Sequence, residues 1–592
     1  TYTYDSYGNM ATSIDGRGLT TTTVYDGNNR LISVTHPIGT ESFTYDNVGN
    51  MLTQTDANGN ATNYTYDGLN RRLTEQNALG EQTSFTYDAN RNILTATYAN
   101  GNQSNFTYDQ LNRKLTETDG LGTVQTYSYD ATGNLASSTD GNGIITTYTY
   151  DSMNRLLSAT RGGSTESYTY DAGGRKLTST GGNGNTTNYT YDGLNRKLTS
   201  SVGGVTVSYT YDAGGRLLTS TDGKGNTTNI TYDGLNRKIT ETYPDGSHQH
   251  YTYDGNNNII TQTDANGNAT NYTYDGLNRK LTQDFPGSND DNYTYDAGGR
   301  RLTATNDNAD GGYTYDAMNR KLTETVNGHT THYSYNTSTR QRTVTYPGGS
   351  VVQETYDLRE RLTSIFQSGV TADWTYDGGN RRLTASYGSN IAGTYSYNNR
   401  DLITSLMYRR GSTLLAGYDY EYDYERRRVA GDNYDSTRSE MYGYNSIGWL
   451  TSVMRGKLTG GSIPLPVDTF GYSYDNAGNW TSVKHGSTTK TYTTNNLNQY
   501  TSISPGGALS YDLNGNMKES PDGGYTYDGR NRLVSGIDST TSAGAQFKYD
   551  ALGRRIQKLI STNGGAAWFV AMNYYYDGYR LIEERSASDI VL

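Results

Sequence analysis

Residues 187–206 read TNYTYDGLNRKLTSSVGGVT, and this stretch decides the fold. Residues 187–191 alternate, with Tyr189 and Tyr191 on one face and Thr190 on the other, which is the period of a β-strand. A run of turn-forming residues follows at 192–195, and residues 196–200 form a second short strand. A Gly-rich turn at 203–204 ends the unit. The stretch therefore predicts a β-hairpin unit of about 21 residues.

The same unit recurs along the chain. Residues 53–74 and 261–282 differ only at Arg72 versus Lys280, and Tyr-Asp dipeptides return every 20 or 21 residues. Sixteen of their aspartates are regularly spaced: Asp5, Asp26, Asp46, Asp67, Asp88, Asp109, Asp130, Asp151, Asp171, Asp192, Asp212, Asp233, Asp254, Asp275, Asp296 and Asp316. The period continues less regularly at Asp357, Asp377, Asp475, Asp512, Asp528, Asp550 and Asp577. If it persists, the chain holds roughly 27 units.

The turn after each Tyr-Asp has a recognisable chemistry. Three positions after the Asp, 15 of the 16 units carry Gly or Asn, and the exception is Arg91. Gly and Asn adopt positive φ at low cost. The Asp side chain can accept a hydrogen bond from the amide two residues on. These features predict a type I turn closed by a left-handed residue and a bulge, and repeated bulges would coil the sheet.

Two apolar columns follow from the repeat. Fourteen of the 16 units carry Leu or Ile six positions after the Asp, and 14 carry Tyr or Phe two positions before the Tyr of the dipeptide. With hairpins side by side, Tyr would stack on Tyr and Leu on Leu about 10 Å apart. Roughly 54 strands laid flat would span about 260 Å, so the ribbon must curl. We therefore predict an all-β fold, one long spiralling antiparallel sheet that forms a hollow shell or solenoid.

Composition excludes several classes of protein. Only 32% of the residues are hydrophobic and the mean hydropathy is -0.82, too polar for several compact cores, yet 12% are aromatic, which argues against disorder. The net charge of -11 and pI near 5.2 disfavour nucleic-acid binding. There is no Cys and no run of apolar residues long enough for a membrane helix. Thr1 lies inside a repeat, so we expect a fragment or a processed chain.

The repeat motif resembles that of the RHS/YD-repeat family. The family pattern of Tyr-x-Tyr-Asp, two variable residues, Gly or Asn, Arg or Asn, then Leu is met by Tyr66-Asp67-Gly-Leu-Asn-Arg-Arg-Leu73 and its relatives over essentially the whole chain. The C-terminal part is similar to the closing stretch of RHS regions, with motifs beginning at Tyr511, Tyr527, Tyr549 and Tyr576.

This resemblance implies a hollow shell in which the sheet spirals around a cavity. Family members often enclose a C-terminal toxin, in bacterial competition systems and in insecticidal toxin complexes, and related animal proteins act in cell-surface adhesion. It therefore implies a secreted or cell-surface bacterial protein. In toxin-bearing members a core segment with a self-cleaving aspartyl-protease-like site and then the effector follow the repeats, and this chain shows neither before Leu592.

The regularity of the repeat divides the chain into three parts. We predict regular YD/RHS repeats over residues 1–400, divergent repeats with an inserted loop over 401–470, and C-terminal RHS repeats over 471–592. Aromatic and charged clusters lie at 418–424 and 426–428, and the Pro-paired stretch Ile463-Pro-Leu-Pro-Val467 predicts a longer loop or a plug-like insertion.

No residue is predicted to be catalytic, to bind a cofactor or to ligate a metal. An Asp that recurs in most units is a turn former, because a catalytic carboxylate is placed once in a unique environment. The turns at 56–60, 222–226 and 264–268 are only weakly similar to calcium loops, because the bidentate Glu is missing. His248 and His250 share a strand face, and His329 and His332 follow later, which is a weak metal signal without a third ligand.

Three functions remain open at this level. The first is a non-enzymatic shell that encloses or presents a toxin or effector polypeptide. The second is an extracellular adhesion or fibre protein that binds carbohydrate, a cell-surface partner or itself, since an unclosed contact between repeats gives a filament. The third is an enzyme such as a glycan hydrolase, which would need a unique acidic pair outside the repeat, and the sequence shows none. No cofactor is predicted.

Overall fold

The computed structural model describes residues 1–287, 290–434 and 437–592, and this part of the chain is built from β-strands joined by turns, without a helix. The described residues form 57 strands, and each pairs antiparallel with the next in chain order, except β49 with β50, as the pairs β1 with β2 and β19 with β20 illustrate. The predicted all-β repeat fold is confirmed.

The strands of the first half are β1(Tyr2–Tyr4), β2(Met10–Ile14), β3(Thr20–Tyr25), β4(Leu31–His36), β5(Gly39–Tyr45), β6(Met51–Thr55), β7(Ala61–Tyr66), β8(Arg72–Gln76), β9(Gln82–Tyr87), β10(Ile93–Thr97), β11(Gln103–Tyr108), β12(Lys114–Asp119), β13(Gly122–Tyr129), β14(Leu135–Asp140), β15(Ile145–Tyr150), β16(Leu156–Arg161), β17(Ser164–Tyr170), β18(Lys176–Thr180), β19(Thr186–Tyr191), β20(Lys197–Val202), β21(Val205–Tyr211), β22(Leu217–Thr221), β23(Thr227–Tyr232), β24(Lys238–Thr242), β25(His248–Tyr253), β26(Ile259–Thr263), β27(Ala269–Tyr274) and β28(Lys280–Asp284).

The strands of the second half are β29(Asp291–Tyr295), β30(Arg301–Asn306), β31(Ala309–Tyr315), β32(Lys321–Val326), β33(His329–Asn336), β34(Gln341–Thr345), β35(Val351–Tyr356), β36(Leu362–Gln367), β37(Val370–Tyr376), β38(Arg382–Tyr387), β39(Ile391–Tyr397), β40(Ile403–Arg410), β41(Thr413–Tyr422), β42(Arg428–Asn433), β43(Ser439–Tyr444), β44(Leu450–Gly456), β45(Pro466–Tyr474), β46(Trp480–His485), β47(Thr488–Thr494), β48(Tyr500–Ser504), β49(Gly507–Ala508), β50(Ser510–Tyr511), β51(Met517–Ser520), β52(Gly523–Tyr527), β53(Leu533–Asp538), β54(Gly544–Tyr549), β55(Arg555–Ser561), β56(Phe569–Asp577) and β57(Arg580–Arg585).

Each repeat folds as its turn chemistry predicts. In the unit at β19 and β20, Asp192 Oδ1 accepts hydrogen bonds from the amides of Leu194 at 2.9 Å and Arg196 at 3.0 Å. Asn195 has a φ of 66°, and the register shifts between Thr190 and Tyr191. The predicted Asx turn, left-handed residue and bulge are therefore confirmed. Arg91, the exception in the sequence, also has positive φ, at 73°.

Strands β1 to β49 form one sheet and β50 to β57 form a second sheet of eight strands. The break falls within a single strand path. Leu509 separates β49 from β50, and its amide donates to Thr501 O at 2.9 Å. The wall therefore continues through this point as one ribbon.

The ribbon closes on itself as a spiral. The turn between β2 and β3 meets the turn between β25 and β26, where Gly16 N donates to Asn256 Oδ1 at 2.7 Å. The turn between β14 and β15 likewise meets the turn between β37 and β38, where Gly379 N donates to Asn142 Oδ1 at 2.8 Å. The strand numbers differ by 23 in both cases. The difference in strand number must be odd, because successive hairpin turns lie alternately on the two edges of the ribbon and each contact joins one edge to the other.

This pitch sets the dimensions of the wall. Twenty-three strands at about 4.8 Å give a circumference of about 110 Å and a diameter of about 35 Å, and 57 strands make about two and a half turns. A compact protein of 65.1 kDa would expose about 20,600 Å², whereas this chain exposes 30310 Å². The excess is what a thin wall with two solvent-facing sides produces.

The two sides of the wall differ. One side, here the tyrosine face, carries Tyr189 and its equivalents. The other side, here the threonine face, carries Thr190 and its equivalents. The Oγ1 of Thr190 lies 2.6 Å from Oγ1 of Thr199 on the neighbouring strand. Buried side chains of the sheet cluster on the tyrosine face of the second spiral turn: Tyr293, Ala304, Tyr313, Glu324, Tyr333, Val344, Val352 and Glu354. The protein therefore has a crowded face in place of a central core.

The described residues of the divergent region 401–470 remain part of the same sheet. It contains the long strands β41, of ten residues, and β45, of nine. Of the predicted loop 463–467, residues 463–465 precede β45 and residues 466–467 begin it; Ile463 is buried while Leu465 is 84% exposed. The division of the chain into three parts stays a prediction.

Candidate functional site

The aromatic columns of the tyrosine face explain the excess of Tyr over Phe. In many repeats the Tyr that precedes the Asp donates a hydrogen bond to a backbone carbonyl of the preceding repeat, as Tyr191 OH does to Lys176 O at 2.9 Å and Tyr211 OH to Lys197 O at 2.9 Å. Lys197 flanks Leu198, the bulged residue that lacks a partner on the neighbouring strand. The hydroxyl therefore satisfies a carbonyl beside the bulge, which a Phe could not do.

Basic side chains lie between the aromatic rings of neighbouring repeats. Lys114 Nζ lies 5.6 Å from the Phe106 ring centroid and 5.2 Å from that of Tyr127. Lys321 Nζ is placed in the same way between Tyr313 and Tyr333, at 5.6 and 5.5 Å. In these repeats a cation therefore occupies the space between the rings that the sequence predicted to lie about 10 Å apart. Two rings about 10 Å apart cannot touch, and a cation fills the gap favourably.

The YD turns, defined here as the four residues that begin at the Asp of each Tyr-Asp, are linked along one edge of the ribbon. Arg196 Nε donates to Asp192 Oδ2 at 2.7 Å, and its Nη1 donates to the carbonyl of Asp212 in the next YD turn at 2.5 Å. Hydrogen bonds from the backbone amide and then the side chain of Arg196 lower the pKa of Asp192. The repeated Asp is therefore an ionised turn residue.

In some repeats the residue four positions after the Asp is Asn in place of Arg, and its side-chain amide links the two YD turns. Asn50 Nδ2 donates to Asp46 Oδ2 at 2.8 Å and to Asn70 Oδ1 of the next YD turn at 3.0 Å. Consecutive repeats are thus tied together at their turns as well as through the strand ladder.

The second edge of the ribbon carries the turns that join one repeat to the next, here called connecting turns. Along most of the spiral they meet the YD turns of the following spiral turn, and we call this junction the seam. Asn58 Oδ1 accepts from Gly298 N at 2.9 Å, and Asn183 Oδ1 accepts from Tyr424 N at 2.8 Å. The Asn of the connecting turn therefore recognises the backbone of the YD turn.

Glycines allow the two edges to approach. A Cβ added at Gly16 would overlap the carbonyl oxygen of Gly255, and one added at Gly141 would overlap that of Gly378. Only Gly permits such close contact between two backbones. Sequence reasoning identified these residues as turn formers and missed the seam, since the contacts join residues 240 and 237 positions apart.

Ion pairs reinforce the seam. Arg359 Nε lies 2.5 Å from Asp119 Oδ2, with side-chain exposures of 8% and 4%. The hydrogen bond to Asp119 raises the pKa of Arg359. Arg161 Nη2 bridges Asp140 and Asp401, at 2.5 and 2.6 Å.

The last hairpins lie over the tyrosine face of the preceding spiral turn. Tyr293 OH donates to Ala551 O at 2.9 Å, and Tyr293, Tyr313 and Ala551 pack in one buried cluster. Arg554 pairs with Asp550 at 2.7 Å and with Glu324, and all three side chains are almost fully buried. Burial raises the pKa of Tyr293 to about 12.

The weak calcium and metal signals of the sequence fall on residues with other partners. Asp222 Oδ2 and Asp264 Oδ2 accept seam hydrogen bonds, from Asn498 Nδ2 at 3.0 Å and from Asn514 Nδ2 at 2.6 Å. His329 lies against Tyr575, with ring centroids 4.7 Å apart. No group of three or more His, Asp or Glu that could hold a metal occurs in the described ranges.

Within the described residues, no helix is long and apolar enough to cross a membrane. The candidate functional features of the described residues are accordingly the two faces of the wall and the seam.

Comparison with known proteins places these features in a family. The family model described as Teneurin YD-shell matches residues 82–269 and 367–572, well over half of the chain. The RHS Repeat model matches residues 25–61, 48–82 and 253–289.

Two curated relatives share a short stretch of sequence. They are the tRNA3(Ser)-specific nuclease WapA of Bacillus spizizenii and the tRNA nuclease WapA of Bacillus subtilis, each 36% identical over 116 residues. The match covers 18% of this chain and 4% of each relative.

Solved structures show the same fold over the full chain. TcdB2-TccC3 without its hypervariable C-terminal region superimposes with a TM-score of 0.80 at 13% identity, covering 100% of this chain and 41% of that one. A second TcdB2-TccC3 structure covers 98% of this chain and 41% of its own, with a TM-score of 0.76. The repeat motif, the spiral wall and the family match agree, and the chain belongs to the RHS-repeat family of teneurin-type YD shells.

Proposed function

We propose that this chain is the non-enzymatic wall of a secreted or cell-surface protein, and that it encloses or presents a toxin or effector polypeptide. The observation that carries the proposal is the spiral of 23 strands per turn, which surrounds a space about 35 Å across from backbone to backbone. Its exposed area of 30310 Å² reflects both faces of the wall.

The tyrosine face is the side that lines this space in the proposal. The sheet side chains of the second spiral turn are most buried on that face, as expected on the concave side of a curved sheet. The last hairpins also pack onto this face through Ala551 and Arg554. This is expected if the spiral narrows towards its end, so that the last hairpins lie inside the preceding spiral turn. Tyr rings with polar ends give such a lining both apolar area and hydrogen-bonding groups for an enclosed chain.

The absence of catalysis is part of the proposal. The carboxylates of the repeats are engaged in turns and in the seam, as Asp192 and Asp222 illustrate. The similarity to the WapA nucleases covers only 18% of the chain. It therefore supports a shared repeat wall rather than a shared reaction.

Protease protection tests the proposal. An unstructured, protease-sensitive reporter fused after Leu592 is expected to resist proteolysis at a protease concentration that digests the free reporter. The double variant Gly141→Val, Gly223→Val should remove this protection, because the added side chains would overlap the backbone at Gly378 and Asn476 across the seam.

The control variant is Gly193→Ala, since a Cβ there meets no atom within 4 Å. This variant should protect the reporter as the parent does. Digestion of the fused reporter at the rate of the free one, in a chain that retains its β-sheet circular dichroism, would refute enclosure.

A further inference from the structure

One repeat of the tyrosine face lacks a carboxylate that four other repeats have. In those four, a basic residue five positions after the Asp pairs with a Glu eight positions after it on the same strand: Arg72 with Glu75 at 3.0 Å, Lys114 with Glu117 at 2.7 Å, Lys238 with Glu241 at 2.7 Å and Lys321 with Glu324 at 2.6 Å. In the repeat that begins at Asp423 the basic residue is Arg428, but the eighth position is Gly431.

Arg428 is therefore a cation without the usual partner. Its guanidinium carbon lies 4.1 Å from the ring centroid of Tyr420, and within the described ranges no carboxylate lies within ion-pair distance of it. Further repeats carry a neutral side chain at the eighth position, such as Ser200 or Gln283, whereas Gly431 leaves that place empty.

A cavity of about 430 Å³ lies beside Gly431 on the tyrosine face. Gly431 pairs with Tyr420 on one neighbouring strand and with Glu440 on the other, so the missing side chain leaves a gap between these two residues. The rings of Tyr418 and Tyr420 line the cavity and are parallel, with centroids 6.3 Å apart. This volume falls at the small end of the range for ligand pockets and suits a ligand of one or two rings.

The charges around the cavity favour an anion. Among the described residues that line it, Arg428, Arg438 and Arg455 are basic and Glu440 alone is acidic. Glu440 is already engaged, because its Oε1 lies 2.7 Å from Arg455 Nε and its other oxygen accepts a hydrogen bond from Tyr442 OH. A guanidinium group binds a carboxylate through two parallel hydrogen bonds. The absent Glu and the surplus of guanidinium groups therefore point to a carboxylate supplied by a ligand.

The rest of the lining suits a sugar ring. Tyr side chains present apolar ring faces and polar ends. A pyranose is complementary to them, because its C–H bonds form an apolar face and its hydroxyls lie around its rim. Glu440 and Arg455 can accept hydrogen bonds from these hydroxyls and donate to them. An acid with a purely apolar body would instead place apolar atoms against these two charged groups, which is unfavourable.

We propose that the cavity at Gly431 binds an acidic sugar, a pyranose that carries a carboxylate, with the carboxylate on Arg428 and the ring against Tyr418 and Tyr420. The described lining residues all lie between positions 418 and 455. The site is therefore formed by one stretch of the wall, and the inference does not depend on any enclosed polypeptide.

Isothermal titration calorimetry on the full chain tests the proposal with two hexuronates, D-glucuronate and D-galacturonate. At least one of them should bind. D-Glucose and D-galactose have the same rings without the carboxylate and should bind about tenfold more weakly or not at all. Acetate, which carries the carboxylate without a ring, should also bind about tenfold more weakly.

Gly431→Glu should abolish hexuronate binding, because it places beside Arg428 the carboxylate that four other repeats carry. A Cβ at Gly431 would meet its nearest neighbour, an atom of the Tyr420 ring, at 3.5 Å, so this variant should keep the thermal midpoint of the parent. The matched control is Ser200→Glu, which adds the same side chain at the equivalent position opposite Tyr189. It should bind the hexuronate as the parent does.

Arg428→Gln gives a second measurement that leaves Gly431 in place. It should weaken hexuronate binding about tenfold and leave any binding of the neutral sugar unchanged. The proposal is overturned if neither hexuronate binds the parent, if the neutral sugars bind equally well, or if both variants bind as the parent does. An affinity for acetate equal to that for the hexuronates would show that the carboxylate alone is recognised, and the assignment to a sugar would be wrong.

Discussion

At the scale of single residues, the repeat is specified by a few polar groups with defined partners. The hydroxyl of Tyr191 binds the carbonyl of Lys176, Asp192 binds two amides of its own turn, and Asn195 supplies the left-handed residue. Each interaction is small, but the repeat multiplies it. This is why 58 Tyr residues accompany only 8 Phe.

Tyr191→Phe should lower the free energy of unfolding by about 1 kcal/mol, because the Lys176 carbonyl loses its hydrogen-bond donor. Urea denaturation followed by circular dichroism measures the change. Tyr189→Phe is the control, since the Tyr189 hydroxyl has no hydrogen-bond partner among the residues that the structure describes. Equal effects of the two variants would refute the role given to the Tyr191 hydroxyl.

At the scale of elements, the YD turns form a row of ionised carboxylates held by amides and guanidinium groups. Backbone and side-chain hydrogen bonds from the residue four positions on lower the pKa of Asp67, Asp109, Asp151, Asp192, Asp212 and Asp233. The same arrangement recurs in these six turns, so their loss of stability at low pH should be cooperative.

We expect the thermal midpoint to fall steeply once the pH drops below about 4. The folded-state pKa of each of these six Asp residues lies below its unfolded value, so the stabilisation is complete above the unfolded pKa and is lost as the pH falls through the folded one. Thermal scans between pH 7 and 2 measure this. A midpoint that stays constant to pH 2 would contradict the ionised-turn model.

At the scale of the whole molecule, the seam converts a ribbon into a wall. Backbone contacts at glycine, Asn side chains and ion pairs such as Arg359 with Asp119 join residues 237 to 240 positions apart.

Asp119→Asn should lower the free energy of unfolding by about 3 kcal/mol, because it leaves the guanidinium of Arg359 buried and without its counter-charge. Denaturant titration measures the loss, and amide exchange at residues 357–360 should locate it at the seam. The control is Glu440→Gln, whose partner Arg455 is 45% exposed, and it should cost less than about 1 kcal/mol. A cost for Asp119→Asn no greater than for this control would count against the seam ion pair.

The sequence by itself determined the strands, the YD turns and the repeated unit, because turn chemistry and a period of two act over a few neighbouring residues. Asn195 and Asp192 could therefore be assigned correctly. Only the tertiary structure decided that Lys114 separates two aromatic rings, and that Gly16 meets Gly255 across the seam. Both depend on how many strands complete a turn, and that number results from small twists added over 23 strands.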